Sequence, residues 1–424
     1  MKRIILITLV LLSSQAFSQF DKYFENKSLR MDYYHTGNHD ISSYSFDELI
    51  EEPYWGGSKV NMIDTFGYGN YYVKVFDVNT DDLIYSRGYS SIFGEWQTTN
   101  ESKDISRSMS ETVLMPYPKN DARIELHERN WDGNFEKKFE YTFKSKDYFT
   151  NKDNKKEYPN FSFHKSGDPA KKIDVVIVPE GYSEEEMGKF IEDCKKFTND
   201  MFAYAPYTEN ADKFNIWGVM APSMESGVDI AADGIWKNTV MNFGYYTFDS
   251  ERYLMTYDNK SVRDVAANAP YDQIYVLVNS NKYGGGAIYN FYNVSVNSNS
   301  KSAAILIHEF GHGFAGLGDE YFDSSTSYND FYNLEVEPWE PNITTLVDFD
   351  KKWKHLLRKK TPIPTPDPVK EKDFDKLGVY EGGGYVAKGV YRPRYDCMMK
   401  TFNNDTFCPA CEEAIQKMID FYSE

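Results

Sequence analysis

The sequence predicts two folded domains, an all-β sandwich followed by an α/β domain. Three observations support this prediction. The 424 residues exceed the size of one ordinary domain. Apolar residues alternate with period two through the first third of the chain, which is typical of strands buried on one face. After a polar interruption, the apolar residues form continuous runs and helical stripes, which are typical of an α/β sheet.

The chain opens with the pattern of a signal peptide. A basic pair precedes an apolar run over residues 4–12, and residues 16–18 offer a small-x-small cleavage site before Gln19. No stretch of the sequence approaches the ~20 continuous apolar residues that a membrane helix needs. We therefore expect residues 1–18 to be removed and the mature protein to be secreted or periplasmic, without stable membrane insertion.

The net charge of -18 argues against nucleic acid as a partner, because phosphate binding needs clustered Lys and Arg. An acidic surface mainly favours solubility. Aromatic residues make up 17% of the chain, which suits β-structure and exported surfaces. The sequence carries no signal of a particular oligomeric state.

Residues 19–150 are predicted to form the β-sandwich. Alternating runs over residues 71–76 and 139–143 indicate strands. Residues 124–127 and the later run flank the segment 131–134, whose Asp-Gly pair is typical of a tight hairpin turn. Several such strands in succession predict an all-β fold.

Residues 151–172 are predicted to be a linker, because they are rich in Lys, Asn, Asp and Ser and bury little apolar surface. Residues 173–178 are a nearly continuous β-branched run, as expected for a strand covered on both faces. Residues 214–220 and 273–278 indicate two further strands, with a helical stripe before the first of them. Residues 173–424 are therefore predicted to form the α/β domain.

An HExxH motif lies in this second domain. On a helix, His308 and His312 share one face with Cβ atoms about 5 to 6 Å apart, so that both can bind one metal ion. Glu309 is rotated by about 100° and is expected to act as general base on a water at that ion. One zinc ion is the expected cofactor, because zinc accepts imidazole and carboxylate and keeps a fourth position open.

The residues around the motif raise its specificity. The apolar residues before it predict a buried helix, in which two histidines beside a carboxylate would be costly without a metal or other partners. Gly316 is expected to end the helix in a left-handed conformation and to turn the chain back. Asp319 follows three residues later and supplies a carboxylate as the third ligand.

Two other segments favour a peptidase over a zinc enzyme that acts on small molecules. Gly284, Gly285 and Gly286 follow a predicted strand and would let an extended peptide approach an edge strand; the alternative is a loop without a substrate role. Met398 or Met399 would form a methionine-containing turn beneath the metal. The alternative there is two ordinary core methionines.

The cysteine positions fit an exported protein. Cys397, Cys408 and Cys411 lie within fifteen positions of one another, whereas Cys194 is remote. In an oxidising compartment we expect one disulfide within this trio, with its pairing open. A second zinc site on Cys408 and Cys411 is the alternative, although the sequence indicates no fourth ligand nearby.

The segment from His308 to Tyr321 resembles the extended HExxHxxxGxxDE signature of the bacterial IgA-peptidase family of zinc metallopeptidases, which are relatives of the metzincins. The resemblance covers most of the chain after about residue 173, and the β-rich front half is similar to the family's N-terminal domain. It continues in residues 175–182, 353–356, 380–384, 397–399 and 407–411.

The resemblance implies a metzincin-like α/β zincin catalytic domain in residues 173–424. It implies the zinc ligands His308, His312 and Asp319, the catalytic base Glu309, and Met398 or Met399 in the Met-turn. The chain departs from the usual metzincin pattern in that Gly316 lies eight residues after His308 instead of seven, and that Asp replaces His as third ligand. Glu320 then lies out of register with the metal. We predict that it accepts a hydrogen bond from the other ring nitrogen of a ligand histidine.

The sequence therefore predicts a secreted zinc-dependent endopeptidase that hydrolyses peptide bonds in protein or peptide substrates. One alternative is a binding or adhesion protein with a degenerate zincin scaffold, against which the intact Glu309 argues. Another is a zinc hydrolase of non-peptide amides, which a blind, deep pocket would favour. The family name does not identify the substrate, and nothing in the sequence encodes a preference for immunoglobulin.

Overall fold

The computed structural model describes residues 19–153, 156–322, 331–368, 370–402 and 406–424. The predicted signal peptide, residues 1–18, lies outside the described residues. The N-terminal part contains the helices α1 (Ile92–Gln97) and α2 (Glu101–Asp104). Its strands are β1 (Phe24–Gly37), β2 (Ser42–Glu52), β3 (Tyr71–Asp77), β4 (Leu83–Tyr89), β5 (Arg107–Pro118), β6 (Ala122–Arg129) and β7 (Phe135–Phe143).

These seven strands form two antiparallel sheets that pack face to face. The strand orders are β2-β1-β5 and β4-β3-β6-β7. Alternate side chains of both sheets, such as Met31, Val75 and Ile124, meet in one apolar core. The hairpin between β6 and β7 turns at the predicted Asp-Gly pair, where Gly133 has a φ of 81°. The N-terminal domain is therefore mostly β-sheet, consistent with a sandwich, and a separate domain follows it.

The following domain contains strands and helices. Its helices are α3 (Met187–Met201), α4 (Asn259–Ala266), α5 (Ser302–Ala315) and α6 (Pro409–Ser423). Its strands are β8 (Asn160–Lys165), β9 (Ile173–Glu180), β10 (Phe214–Val219), β11 (Asp229–Ile230), β12 (Gly244–Tyr245), β13 (Gln273–Val278), β14 (Gly285–Ile288), β15 (Tyr292–Val296), β16 (Tyr380–Gly383) and β17 (Val386–Arg392).

A six-stranded sheet with order β14-β15-β13-β9-β10-β8 forms the centre of this domain. Its four inner strands are mutually parallel, whereas β14 and β8 run antiparallel at the two edges. Every residue of β9, β10 and β13 is buried, which accounts for their continuous apolar runs.

Strand β8 lies inside the segment that we predicted to be a linker, so residues 160–165 belong to the sheet. Phe161 and Phe163 alternate with polar residues, and both pack against Gly218 of β10. This period-two signal is only two aromatic residues long, and the Lys- and Asn-rich segments on both sides conceal it. The polar composition therefore misled the prediction.

Helices α3, α5 and α6 cover one face of the sheet, and helix α4 covers the other face. Helix α1 of the N-terminal domain packs on that second face, because Ile92, Phe93 and Trp96 belong to the same apolar cluster as α4. Across the two domains, Arg30 also pairs with Asp264 at 2.9 Å. The two domains thus share the apolar cluster on the second face of the sheet.

Candidate active site

Helix α5 carries the predicted motif and ends where the sequence indicated. Gly316 has a φ of 64°, and its N–H donates to the carbonyl of His312 at 3.0 Å. The N–H of Leu317 donates to the carbonyl of Gly311 at 3.1 Å, which completes a left-handed helix end. The reversed chain then brings Asp319 to the face of the helix that carries both histidines.

Three donor atoms meet at this point. The Nε2 atoms of His308 and His312 lie 3.0 Å apart. Asp319 Oδ1 lies 3.1 Å and 3.3 Å from these two nitrogens, yet it accepts no hydrogen bond from the described residues. Ligands at the corners of a tetrahedron around zinc are roughly 3.3 to 3.6 Å apart, given bonds of about 2.0 to 2.2 Å. The three atoms therefore fit one face of a zinc coordination shell.

Backbone carbonyls orient both imidazoles. His308 Nδ1 lies 3.1 Å from the carbonyl oxygen of Met398, and His312 Nδ1 lies 2.5 Å from that of Leu317. A carbonyl can only accept, so each Nδ1 carries a proton. In the neutral form of each ring, Nε2 therefore directs a lone pair at the centre of the site.

The role predicted for Glu320 is wrong, because these carbonyls take the hydrogen bonds that we assigned to it. Its carboxylate instead accepts from Asn342 Nδ2 at 3.0 Å and lies 3.4 Å from Cys411 Sγ. Successive residues of an extended segment point in opposite directions, so Asp319 faces the histidines and Glu320 faces away.

Burial and charge shift the pKa values of the site. Burial raises the pKa of Glu309, and the neighbouring histidines only partly offset this effect. Burial lowers the pKa of His312, but the adjacent Asp319 carboxylate outweighs it and raises that pKa to about 9 in the metal-free site. Burial likewise opposes ionisation of Asp319, whereas His312 and His308 hold its pKa well below the usual range. The metal-free site therefore holds a proton that a metal ion would displace.

Met398 and Met399 lie in a turn beneath the helix. The N–H of Lys400 donates to the carbonyl of Cys397 at 2.8 Å and closes this turn. Met398 contributes the carbonyl that holds His308, and a Cβ atom at Gly311 would lie 3.1 Å from Met399 Sδ. Both methionines are fully buried. The turn thus supports the helix directly below His308.

Gly285 and Gly286 begin the edge strand β14, and Gly284 precedes it. A Cβ atom at Gly286 would lie 2.5 Å from Met255 Sδ, and one at Gly284 would lie 2.5 Å from Tyr245 Cε1. The glycines therefore allow the protein's own side chains to pack closely. Gly285 and Gly286 also line the cavity that contains Glu309, and the close approach of a substrate there stays a prediction.

The outer edge of β14 is partly occupied. The N–H of Gly285 donates to the carbonyl of Arg252, and the carbonyl of Gly285 accepts from Leu254. Because backbone groups alternate along a strand, the N–H and C=O of Ala287 point to the same outer side, beyond this pairing. Ala287 lines the cavity in front of Glu309. A peptide could therefore add to the edge at Ala287, one step beyond the predicted glycines.

Sequence reasoning missed Tyr385, whose hydroxyl donates to Asp319 Oδ2. The N–H of Gly384 also donates to the carbonyl of Asp319 at 2.7 Å, and Tyr385 has a φ of 66°. The run of three glycines before Tyr385 signals a tight turn, but its partner is more than sixty positions away. Only the fold brings the two segments together.

A cavity of about 910 Å³ lies in front of the histidines, and both domains line it. Glu95 of α1 accepts a hydrogen bond from the Tyr253 hydroxyl, and burial raises the pKa of Glu95 to about 7. No sequence signal connects Glu95 to the HExxH helix. The N-terminal domain is therefore part of the site.

The predicted disulfide is absent from the structure, in which all four cysteines are free thiols. Cys408 Sγ and Cys411 Sγ lie 3.5 Å apart, whereas a disulfide bond measures about 2.05 Å. Cys397, Cys408 and Cys411 instead converge on the carboxylate of Glu320. Helix α6 is thus joined to the Met398 turn by a thiol cluster.

Comparison with known proteins agrees with this organisation. The model of a family described as IgA Peptidase M64 matches residues 161–377 and 369–419, which together span more than half of the chain. The model described as Peptidase M64 N-terminus matches residues 19–140. No curated protein matches the chain. The resemblance inferred from the motifs is therefore confirmed, and the chain belongs to the IgA peptidase M64 family of peptidases.

Proposed function

We propose that this protein is a zinc-dependent endopeptidase whose metal ligands are His308, His312 and Asp319. The convergence of their three donor atoms within 3.3 Å is the observation that carries the proposal. Imidazole and carboxylate form the ligand set of catalytic zinc, and three protein ligands leave a fourth position for water or substrate. Family membership indicates a peptidase, and this geometry supports the choice of metal.

The chain's own residues supply the proton transfers. When bound, zinc would polarise the scissile carbonyl and lower the pKa of the attacking water. Glu309 accepts the proton of that water and later delivers it to the leaving nitrogen. Burial raises the pKa of Glu309, which makes its carboxylate a stronger proton acceptor, as this role requires. Tyr385 holds Asp319 in place through the second carboxylate oxygen.

The surroundings of the site suit a peptide substrate. The cavity volume of about 910 Å³ lies at the upper end of the range for small-molecule sites. The backbone groups of Ala287 offer an edge to which an extended peptide can pair. The buried carboxylate of Glu309 and the complete ligand set argue against the degenerate scaffold that a pure binding protein would have.

We assign a metzincin-like fold to residues 173–424 on three features. The active-site helix lies on a mostly parallel sheet, near the antiparallel edge strand β14. Gly316 ends that helix in a left-handed conformation, and the chain returns to the site through Asp319. A turn that contains Met398 and Met399 supports the helix from below.

We further propose that the chain is exported and that residues 1–18 are its signal peptide. The basic pair, the apolar run and the small residues before Gln19 support this proposal. Within the described part of the chain, no helix has the length and apolarity to cross a membrane.

Proteomic cleavage-site profiling tests the proposal. A complex peptide mixture is incubated with the purified mature protein, and new termini are identified by mass spectrometry; chelator-treated protein is the control. We expect internal cleavages that the chelator removes and that added zinc restores. Hydrolysis of small amides without any cleavage of peptides would favour the non-peptide hydrolase instead.

A further inference from the structure

Four buried side chains converge on the side of the active-site loop that faces away from the histidines. Their ligand atoms all lie within 4.8 Å of one another, and each residue is fully buried. We propose a second, structural zinc site whose four ligands are Cys397, Cys408, Cys411 and Glu320.

The dimensions of the cluster fit tetrahedral zinc. Cys408 Sγ lies 3.5 Å from Cys411 Sγ, and Cys411 Sγ lies 3.4 Å from Glu320 Oε1. Zinc–sulfur bonds of about 2.3 Å place neighbouring sulfurs roughly 3.8 Å apart at tetrahedral corners. A thiolate-rich set selects zinc over magnesium or calcium. Because four protein ligands leave no open position, the site is structural rather than catalytic.

The carboxylate of Glu320 is a second, independent indication. Its Oε2 atom is buried and has no hydrogen-bond partner among the described residues, while Oε1 accepts from Asn342. A buried carboxylate with an unpaired oxygen is costly unless it neutralises or binds a cation. Asn342 also bonds both backbone groups of Gly318, at 2.7 and 2.9 Å, and so fixes the direction of Glu320. Oriented ligands of this kind are typical of metal sites.

Local structure favours a thiolate at Cys408. Cys408 is the N-cap of the fifteen-residue helix α6, and its sulfur accepts from the N–H of Cys411 at 3.5 Å. The positive end of a helix dipole stabilises a thiolate. The buried guanidinium of Arg392 interacts with the Glu320 carboxylate and adds positive charge nearby. These groups partly neutralise a site with four anionic ligands.

The site would hold together the segments that shape the catalytic centre. Glu320 directly follows Asp319, and its N–H donates to the carbonyl of Met399 at 2.8 Å. The adjacent Met398 carbonyl orients His308. A metal at the second site therefore fixes the Asp319 loop, the methionine turn and helix α6 relative to one another. This consequence for catalysis rests on the proposed function, whereas the existence of the site does not.

The competing state is a disulfide between two of the three cysteines. It would satisfy two sulfurs, but it would leave the third cysteine as a buried thiol and would provide no partner for Glu320 Oε2. Metal binding satisfies all four groups at once, and it also protects the thiols if the protein is exported.

Zinc content and X-ray absorption of the full mature chain separate these states. We expect two zinc ions per wild-type chain. A His308→Ala/His312→Ala variant should retain one zinc with zinc–sulfur scattering near about 2.3 Å. A Cys408→Ser/Cys411→Ser variant should lose that zinc and its sulfur signal. Cys194→Ser is the matched control, because Cys194 is equally buried but lies on α3, outside the cluster, and it should keep both ions.

Zinc in the wild-type chain without sulfur scattering would overturn the proposal, as would a disulfide within the trio in unreduced protein from its native compartment. The histidine variant keeps the test decisive if the cysteine variant does not fold. A wild-type chain with one zinc bound through sulfur would support the second site and contradict the proposed catalytic site, so the two failures are distinguishable.

Discussion

The hydroxyl of Tyr385 donates a hydrogen bond to Asp319 Oδ2, and its removal is expected to weaken zinc binding. In Tyr385→Phe, Asp319 keeps its charge and its free Oδ1, but the buried Oδ2 loses a donor. Hydrogen bonds to charged groups contribute about 1.5 to 3 kcal/mol. Substitution of a residue that hydrogen-bonds to a metal ligand typically lowers metal affinity by about 10 to 100-fold, which agrees with that free-energy range. We therefore expect zinc affinity at the catalytic site to fall by roughly 10 to 100-fold.

Competition titration against a chelator of known affinity measures this loss. Tyr332→Phe is the matched control, because the Tyr332 hydroxyl lines the same cavity but donates to Glu340 at 3.0 Å. It should leave zinc affinity close to wild type. Unchanged affinity in Tyr385→Phe, or an equal loss in both variants, would refute the argument that Tyr385 positions the third ligand.

Three further predictions concern the ligands and the end of helix α5. Asp319→Ala should lower zinc affinity by more than roughly 100-fold, the upper limit for substituting a residue that only hydrogen-bonds to a metal ligand. Full zinc retention would contradict the ligand assignment. Since the pKa of His312 is raised to about 9 in the metal-free site, zinc must displace its proton below that pH. Apparent affinity should thus rise about tenfold per pH unit from pH 6.5 to 8.5; a flat profile would contradict this. Gly316→Ala should lower the free energy of unfolding by more than the roughly 1 to 2 kcal/mol of left-handed strain, because its Cβ would lie 2.9 Å from Trp339 Cζ3. Denaturant unfolding checks this against Gly234→Ala, which has a φ of 67° and nothing within 4 Å of the added Cβ.

The parts of the site that follow from local geometry could be predicted from the sequence. The spacing of His308 and His312 fixes their common face once a helix forms, and Gly316 marks the end of that helix. The interval from Gly316 to Asp319 is short enough for the turn to determine the direction of the carboxylate. Strands such as β9 and β13 could also be predicted from the sequence, because burial on both faces requires an uninterrupted apolar run.

The parts that depend on distant segments could not be predicted. Tyr385 reaches Asp319 from a separate hairpin, and Glu95 enters the cavity from the other domain. The cysteine trio indicated proximity, but the choice between a disulfide and a metal depended on a fourth group. Glu320 provides that group only because Asp319 points the opposite way. Spacing along the chain contains no information on such convergence.

The measurement that tests the central claim most directly compares wild-type protein with Glu309→Gln in zinc content and peptide hydrolysis. This substitution removes the proposed base and retains every proposed ligand. We expect unchanged zinc content and a loss of hydrolysis of about 100 to 10,000-fold, the range for general acid–base catalysis. Near-wild-type hydrolysis by Glu309→Gln with its zinc bound would contradict the proposed mechanism.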